Sequence, residues 1–233
     1  MRIALCLAFL VSCLAGPATA AERELTGKVE AKAIKKLRFE GHVGSFELRG
    51  TDGDEIKWTL RLEPDDGGWF KSAKQAQRAV DEAKVRAVAA GDAWELETDL
   101  PSGADEDDVK EHWIVEVPAR LALAFEARVG EATVEGVAGG VEAELNVGDL
   151  RIEVPRGAID ARVNVGELRI TSGTKSPGRV RLEANVGDVD LKIQGKHIEA
   201  DRSFAIGGGV SASNGGTDDI SARVNVGDVR VHI

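Results

Sequence analysis

The sequence predicts an all-β protein: a parallel β-solenoid-like stack of ~18–21-residue strand–bend–strand rungs, with one short helix in an N-terminal interlude. Three observations predict it. First, Asn-Val-Gly-Asp/Glu recurs at Asn146–Asp149, Asn164–Glu167, Asn185–Asp188 and Asn225–Asp228. Second, positions −7, −5, −3, −1, +2, +4 and +6 around the four glycines hold 28 residues, of which 27 are apolar and only Ser172 departs; the 24 interleaved residues are all polar. A period of two that changes phase at a glycine describes a strand, a bend and a second strand, each with one face in the core. Third, Gly130, Gly148, Gly166, Gly187, Gly207 and Gly227 are spaced 18, 18, 21, 20 and 20 residues apart. Units that cannot bury a face alone, repeated at a fixed period, stack into a solenoid. An antiparallel meander would need Asn-Gly or Asp-Gly hairpins; here the order is Gly-Asp/Glu and the unit repeats head to tail.

Residues 1–20 have the pattern of a signal peptide: Arg2, an apolar run from Ile3 to Val11, a break at Gly16-Pro17, and the small-residue site Ala18-Thr19-Ala20, with cleavage after Ala20. The apolar run is too short to span a bilayer as a helix. The expected location is the periplasm or the exterior. Leu10-Val11-Ser12-Cys13 also resembles a lipobox, so the alternative is a lipoprotein anchored through Cys13.

Residues 21–50 form the first rung, centred on Gly44, with Leu37, Phe39, Gly41, Val43, Phe46, Leu48 and Gly50 inward. Residues 51–118 form an interlude that holds all four tryptophans, Trp58, Trp69, Trp94 and Trp113. Within it, Ile56, Trp58, Leu60 and Leu62 alternate as a strand. Pro64–Gly68 is a loop, and Ser72 with Gln75 opens a helix carrying Ala73, Ala76, Val80 and Ala83 on one face. Lys84–Ala89 and Trp94–Thr98 make a hairpin around Gly91-Asp92, Asp105–Asp108 is an exposed acidic loop, and Trp113–Pro118 is a strand. Residues 119–233 are the repeats, starting with the rung at Gly130 and including a degenerate copy at Gly207. If rungs stack in chain order, position −4 puts Glu144, Arg162, Glu183, Ser203 and Arg223 side by side, and opposite charges alternate in part. The final strand, Val229–Ile233, has nothing behind it and is expected to pair with a second copy, giving a homo-oligomer.

A signal peptide, an early Gly-centred rung, a helix, a strand ending Val117-Pro118 and serial Val-Gly-Asp-Val/Leu rungs together resemble the Toastrack, or "putative adhesin", β-strand-repeat domain of bacterial envelope proteins. The resemblance covers about residues 30–233. It implies a solenoid-like all-β domain that is exported or tethered, without enzymatic activity. Some members of that family are associated with envelope-stress systems.

Composition narrows the chemistry. Cleavage removes both cysteines, Cys6 and Cys13, leaving no disulfide, thiolate or sulfur ligand. It also removes Arg2, so 29 basic residues face 40 acidic ones, a net charge of −11. That balance argues against nucleic acid, which requires a basic footprint. His42, His112, His197 and His232 have no ligand-like spacing, so no metal or cofactor is expected. The acidic column Asp149, Glu167, Asp188 and Asp228 suits turns better than calcium, and the column Asn146, Asn164, Asn185 and Asn225 suits a stacked amide ladder. Gly207-x-Gly-x-x-Ala212 matches a dinucleotide pattern without the βαβ context that gives it meaning. No catalytic residues are assigned. Trp69-Phe70, after Gly67-Gly68, is the candidate contact surface. The expected function is an exported, non-enzymatic structural or interaction module of the cell envelope. An adhesin or glycan-binding protein using the Trp-rich interlude is the alternative, and a polysaccharide-active enzyme is a third.

Overall fold

The computed structural model describes residues 22–65, 73–199 and 207–233. Trp69, Phe70, Ser72, Ser203, the cysteines and the whole leader lie outside the described residues.

The chain order is β1 (Arg23–Glu30), β2 (Lys36–Thr51), β3 (Glu55–Pro64), α1 (Ala73–Glu82), β4 (Lys84–Ala90), β5 (Ala93–Asp99) and β6 (Val109–Pro118). The repeats follow as β7 (Ala122–Glu135), β8 (Val141–Val154), β9 (Ile159–Val165), β10 (Leu168–Ser172), β11 (Pro177–Val186) and β12 (Val189–Ile193). The last elements are β13 (Lys196–Ile198), β14 (Gly208–Ser213), β15 (Asp218–Val226) and β16 (Val229–His232). The strands form one all-β, solenoid-like sheet of 16 strands.

The sheet is folded along a crease of glycines. One wing carries the arms that precede each glycine, in the order β4, β5, β2, β7, β8, β9, β15, β11, β14. The other carries the arms that follow it, in the order β1, β3, β6, β2, β7, β8, β10, β16, β12, β13. Strands β2, β7 and β8 run unbroken through both wings. The rungs pair in parallel and in register, as the repeat predicts.

The glycines are obligatory at the crease. Gly44, Gly130, Gly148, Gly166, Gly227 and Gly187 all have φ between 131 and 152°, a region that L side chains avoid. Each also lies so close to the next rung that a Cβ would sit 1.8–1.9 Å from a carbonyl oxygen.

Those contacts also give the stacking order, and it is not the chain order. Gly227 abuts Gly166, and Gly187 abuts Gly227. The C-terminal rung is inserted between β9/β10 and β11/β12, and β16 pairs with β10 on one side and β12 on the other. Two expectations are corrected. The final strand has no open edge, so the route to a homo-oligomer through it is removed. Position −4 runs Glu144, Arg162, Arg223, Glu183, so Arg162 meets Arg223 and not Glu183. Arg223 instead reaches Glu183 at 3.2 Å.

Gly207 is not a rung centre either. The strand after it, β14, is antiparallel to β11, and β13 is antiparallel to β12. These strands close the end of the stack, so parallel pairing stops there.

The interlude forms the other end. Strands β1 and β3 pair antiparallel, as do β3 and β6, while β6 and β5 join β2 in parallel on its two arms. The sequence expectation missed β1 as a separate strand. Helix α1 packs Ala76, Ala79 and Val80 onto the sheet, with Ala83 buried beyond its end; Ala73, expected on that face, is exposed. Arg23 donates to the carbonyls of Val80 at 3.1 Å and Ala83 at 2.8 Å, satisfying acceptors the helix end leaves open.

The core between the wings is aliphatic along the repeats and aromatic at the first rung. Phe39 stacks on Phe125 at 5.8 Å and meets Trp113 edge-on at 5.1 Å. Gly41 occupies an inward position because a Cβ there would lie 2.2 Å from the Phe46 ring.

Candidate functional site

The residues around the glycine crease form three ladders. Immediately before each glycine stands a valine, and the alternation rule places it in the core. The structure corrects this: Val129, Val147, Val165, Val226 and Val186 are 38–43% exposed. The positive-φ bend turns the −1 residue out of the core before the next arm restores the alternation. The valines are register neighbours on adjacent strands. At about 4.8 Å per strand they make a rigid apolar ridge about 19 Å long.

One position earlier runs the amide ladder. Asn164 donates to Asn146 Oδ1 at 3.0 Å, Asn225 to Asn164 Oδ1 at 3.1 Å, and Asn185 to Asn225 Oδ1 at 2.7 Å. The expected amide stacking is present, in the order set by the inserted rung.

After the glycines runs the acidic ladder. Asp149 accepts the Glu167 N–H at 3.1 Å and Asp228 accepts the Asp188 N–H at 3.1 Å. Glu167 pairs with Arg169 and Arg230, and Asp228 pairs with Arg230 at 3.1 Å. The carboxylates of Asp149, Glu167 and Asp228 thus hold backbone N–H groups and guanidinium groups, in keeping with a turn role.

A second acidic row crosses the outer face of the first wing. Glu97, Glu40, Glu126 and Glu144 are direct neighbours on β5, β2, β7 and β8. They line a shallow depression of about 390 Å³ with Lys36, Arg38, Arg86 and Arg162 on its rim. Partial burial, and then the charges of Glu97 and Glu126, push the Glu40 carboxyl above its usual range.

The first rung departs from the repeat on both sides of its glycine. His42 stands where most rungs have Asn, and Ser45 where the others have Asp or Glu. Both find partners on β6. Glu111, 1% exposed, accepts from His42 Nδ1 at 2.8 Å, from the His42 backbone N–H at 3.3 Å and from Trp113 Nε1 at 3.0 Å. A buried carboxylate requires such partners. The hydrogen bond to Glu111 raises the His42 imidazole pKa above its ordinary value despite its burial. A histidine pKa raised by folding stabilises the protein fully below the unfolded-state value, and that contribution disappears as pH rises through the folded-state value. The melting-temperature advantage of the wild type over His42→Gln is therefore expected to shrink between about pH 6 and about pH 9. Thermal scans across that range check it; a constant gap would refute the charged pair.

On the outer face beside this pair, Ser45 Oγ lies 2.8 Å from His112 Nδ1, and His112 Nε2 lies 3.5 Å from Glu63 Oε1. A groove of about 480 Å³ runs over Ser45 and His112, with Arg61, Glu131 and the exposed Ile114 also lining it. Sequence reasoning missed the buried Glu111 and the Ser45–His112 contact. The available signal was the departure of His42 and Ser45 from the repeat.

The remaining expectations fall as follows. Trp69-Phe70 lies outside the described residues. Trp58, Trp94 and Trp113 are buried, so the interlude's described tryptophans are core residues and not a stacking surface for sugars. His197 contacts Asp190 at 3.0 Å. Carboxylate oxygens of Asp105, Asp107 and Asp108 come within 4.8 Å of one another. The expectation that this loop is exposed is corrected at one residue: Asp108 is buried, accepting from Gln75 Nε2 at 3.0 Å and the Asp105 N–H at 2.9 Å. Among the described residues no helix is long and apolar enough to cross a membrane.

No family model matches the chain, and no curated protein matches it. Solved structures do. A "putative cell adhesion protein" from Clostridium sporogenes superposes with a TM-score of 0.58 at 13% identity, covering 91% of this chain and 99% of that one. A "putative adhesin" from Bacteroides fragilis matches with a TM-score of 0.32 at 11% identity, over 91% of this chain and 98% of that one. The first match shows a shared fold, the one expected from the resemblance to the Toastrack domain.

Proposed function

We propose that the chain is an exported interaction module of the bacterial cell envelope, structural and not catalytic in its repeat body, that meets its partner along the glycine crease. The observation that carries this reading is the valine ridge. Five adjacent rungs hold an apolar side chain outward at the same point, backed on four of them by an amide ladder. A contiguous apolar strip on a charged, rigid surface is characteristic of a contact site. The fold shared with a protein described as a "putative cell adhesion protein" supports the same reading. The leader pattern of residues 1–20 supports export, and a link to envelope-stress systems rests on the family resemblance.

The test uses mature protein, with cleavage after Ala20, mixed with washed envelope fragments of a bacterium. Wild type is expected to co-sediment. A Val147→Lys, Val165→Lys, Val226→Lys variant with an unchanged melting profile is expected to remain in the supernatant. Equal sedimentation of the two proteins, or none of the wild type, would overturn the proposal.

A further inference from the structure

We infer that Ser45, His112 and Glu63 form a nucleophilic relay able to accept an acyl group from a neutral carboxylic ester, an activity that goes beyond the interaction reading and does not depend on it. Nucleophilic hydroxyl chemistry needs a hydroxyl within hydrogen-bond reach of a base, and the base held by a third group. Ser45 and His112 satisfy the first, and Glu63 stands within ion-pair reach of the ring for the second. Ser45 Oγ and His112 Nδ1 are 2.8 Å apart as direct cross-strand neighbours on β2 and β6. Glu63 on β3 lies 3.5 Å from the other ring nitrogen. A carboxylate beside Nε2 keeps the proton on Nε2, which leaves Nδ1 free to accept the Ser45 hydroxyl proton.

The surroundings fit a small neutral substrate. Ser45 and His112 border the groove of about 480 Å³, and Glu63 stands behind the imidazole. Arg61, paired across the ladder with His112, is the one cation among its described lining residues. The lining also includes Glu24, Glu47 and Glu131, whose charge repels anionic esters. Ile114, 42% exposed, offers an apolar surface to an acyl chain. Every other Gly-centred rung carries Asp or Glu where Ser45 stands, so the hydroxyl is specific to the one bend that faces a histidine.

The step balances without a co-reactant. Ser45 Oγ bonds to the ester carbonyl carbon as its proton passes to His112 Nδ1. The carbon–oxygen bond to the alcohol then breaks, and the departing alkoxide takes that proton from His112. Water repeats the sequence on the acyl-serine, releasing the carboxylic acid and restoring the hydroxyl. Glu63 acts as a positioning residue, since it touches the imidazole and not the reacting atoms.

A fluorophosphonate probe tests the assignment directly: the serine oxygen displaces fluoride from phosphorus and remains bonded to it. The mature protein is expected to gain one phosphonyl group, located on Ser45 by peptide mass mapping, and Ser45→Ala is expected to gain none. His112→Gln should slow labelling by about 100-fold or more, and Glu63→Gln by about tenfold, both with the wild-type melting temperature. The fold is checked for each variant, and Glu63→Gln provides a second reading of the relay if His112→Gln melts early. Labelling of Ser45 no faster than that of the exposed Ser102, or equal rates in wild type and both variants, would overturn it.

Discussion

Replacing Gly166 with alanine is expected to destabilise the protein by about 4 kcal/mol or more, at the upper end of single-residue effects. Two costs add at this position. Its φ of 141° is unfavourable for any residue with a Cβ. The new methyl would also be built 1.8 Å from the Gly148 carbonyl oxygen. That oxygen belongs to backbone held on both sides by parallel strands, so it cannot move aside as the end of a flexible side chain would. Gly91 is the control: its φ of 69° is also positive, but nothing lies within 4 Å of a Cβ there. Gly91→Ala is expected to cost only about 1–2 kcal/mol, the conformational term alone. Urea unfolding of the two variants measures the difference; similar midpoints would mean that the crease tolerates side chains and is not closely packed.

The second large effect is expected from the C-terminus. Removing residues 217–233 should abolish cooperative folding altogether. In a solenoid whose rungs stack in chain order, losing the last rung costs one interface and leaves the rest standing. Here the last rung is internal. β15 lies between β9 and β11, and β16 between β10 and β12. Its removal opens two strand edges in each wing and cuts the end of the stack, β11 to β14, off from β9 and β10. It also removes Asn225, the middle link from Asn164 to Asn185. Circular dichroism and urea titration of the truncated chain should show no sharp transition. A single sharp transition with a modestly lowered midpoint would contradict the inserted rung.

The insertion shows why some of this fold was legible in the sequence and some was not. The rung, its bend and its amide ladder follow from local periodicity, because a period of two with a fixed glycine leaves few alternatives. Stacking order does not follow, because the rungs at Gly166, Gly187 and Gly227 present nearly the same apolar and polar faces and can pair with one another. The order is decided by non-local partners: β13 and β14 occupy the far side of β12 and β11, leaving the space beside β10 to the last rung. The exposed valine was misplaced for another reason. Alternation assumes extended backbone throughout, and the positive φ of the following glycine rotates the valine outward. The polar contacts of the first rung were the least legible part of the candidate site. Ser45 and His112 are 67 residues apart, and His42 and Glu111 are 69 apart. Only the pairing of β2 with β6 brings them together. Burial of Glu111 could not be read from a strand in which His112 and Glu116 are also polar.

The position of the Gly227 rung between those at Gly166 and Gly187 sets the stacking order of the C-terminal half. It is tested most directly with cysteine pairs, since the native Cys6 and Cys13 both precede the expected cleavage site. Adjacent strands lie about 4.8 Å apart and alternate ones about 9.6 Å apart, while a disulfide requires Cα atoms within about 7 Å. Oxidation is expected to cross-link Asn164→Cys with Asn225→Cys and to leave Asn164→Cys with Asn185→Cys reduced. Cross-linking of the second pair in place of the first would restore the chain-order stack and contradict the account.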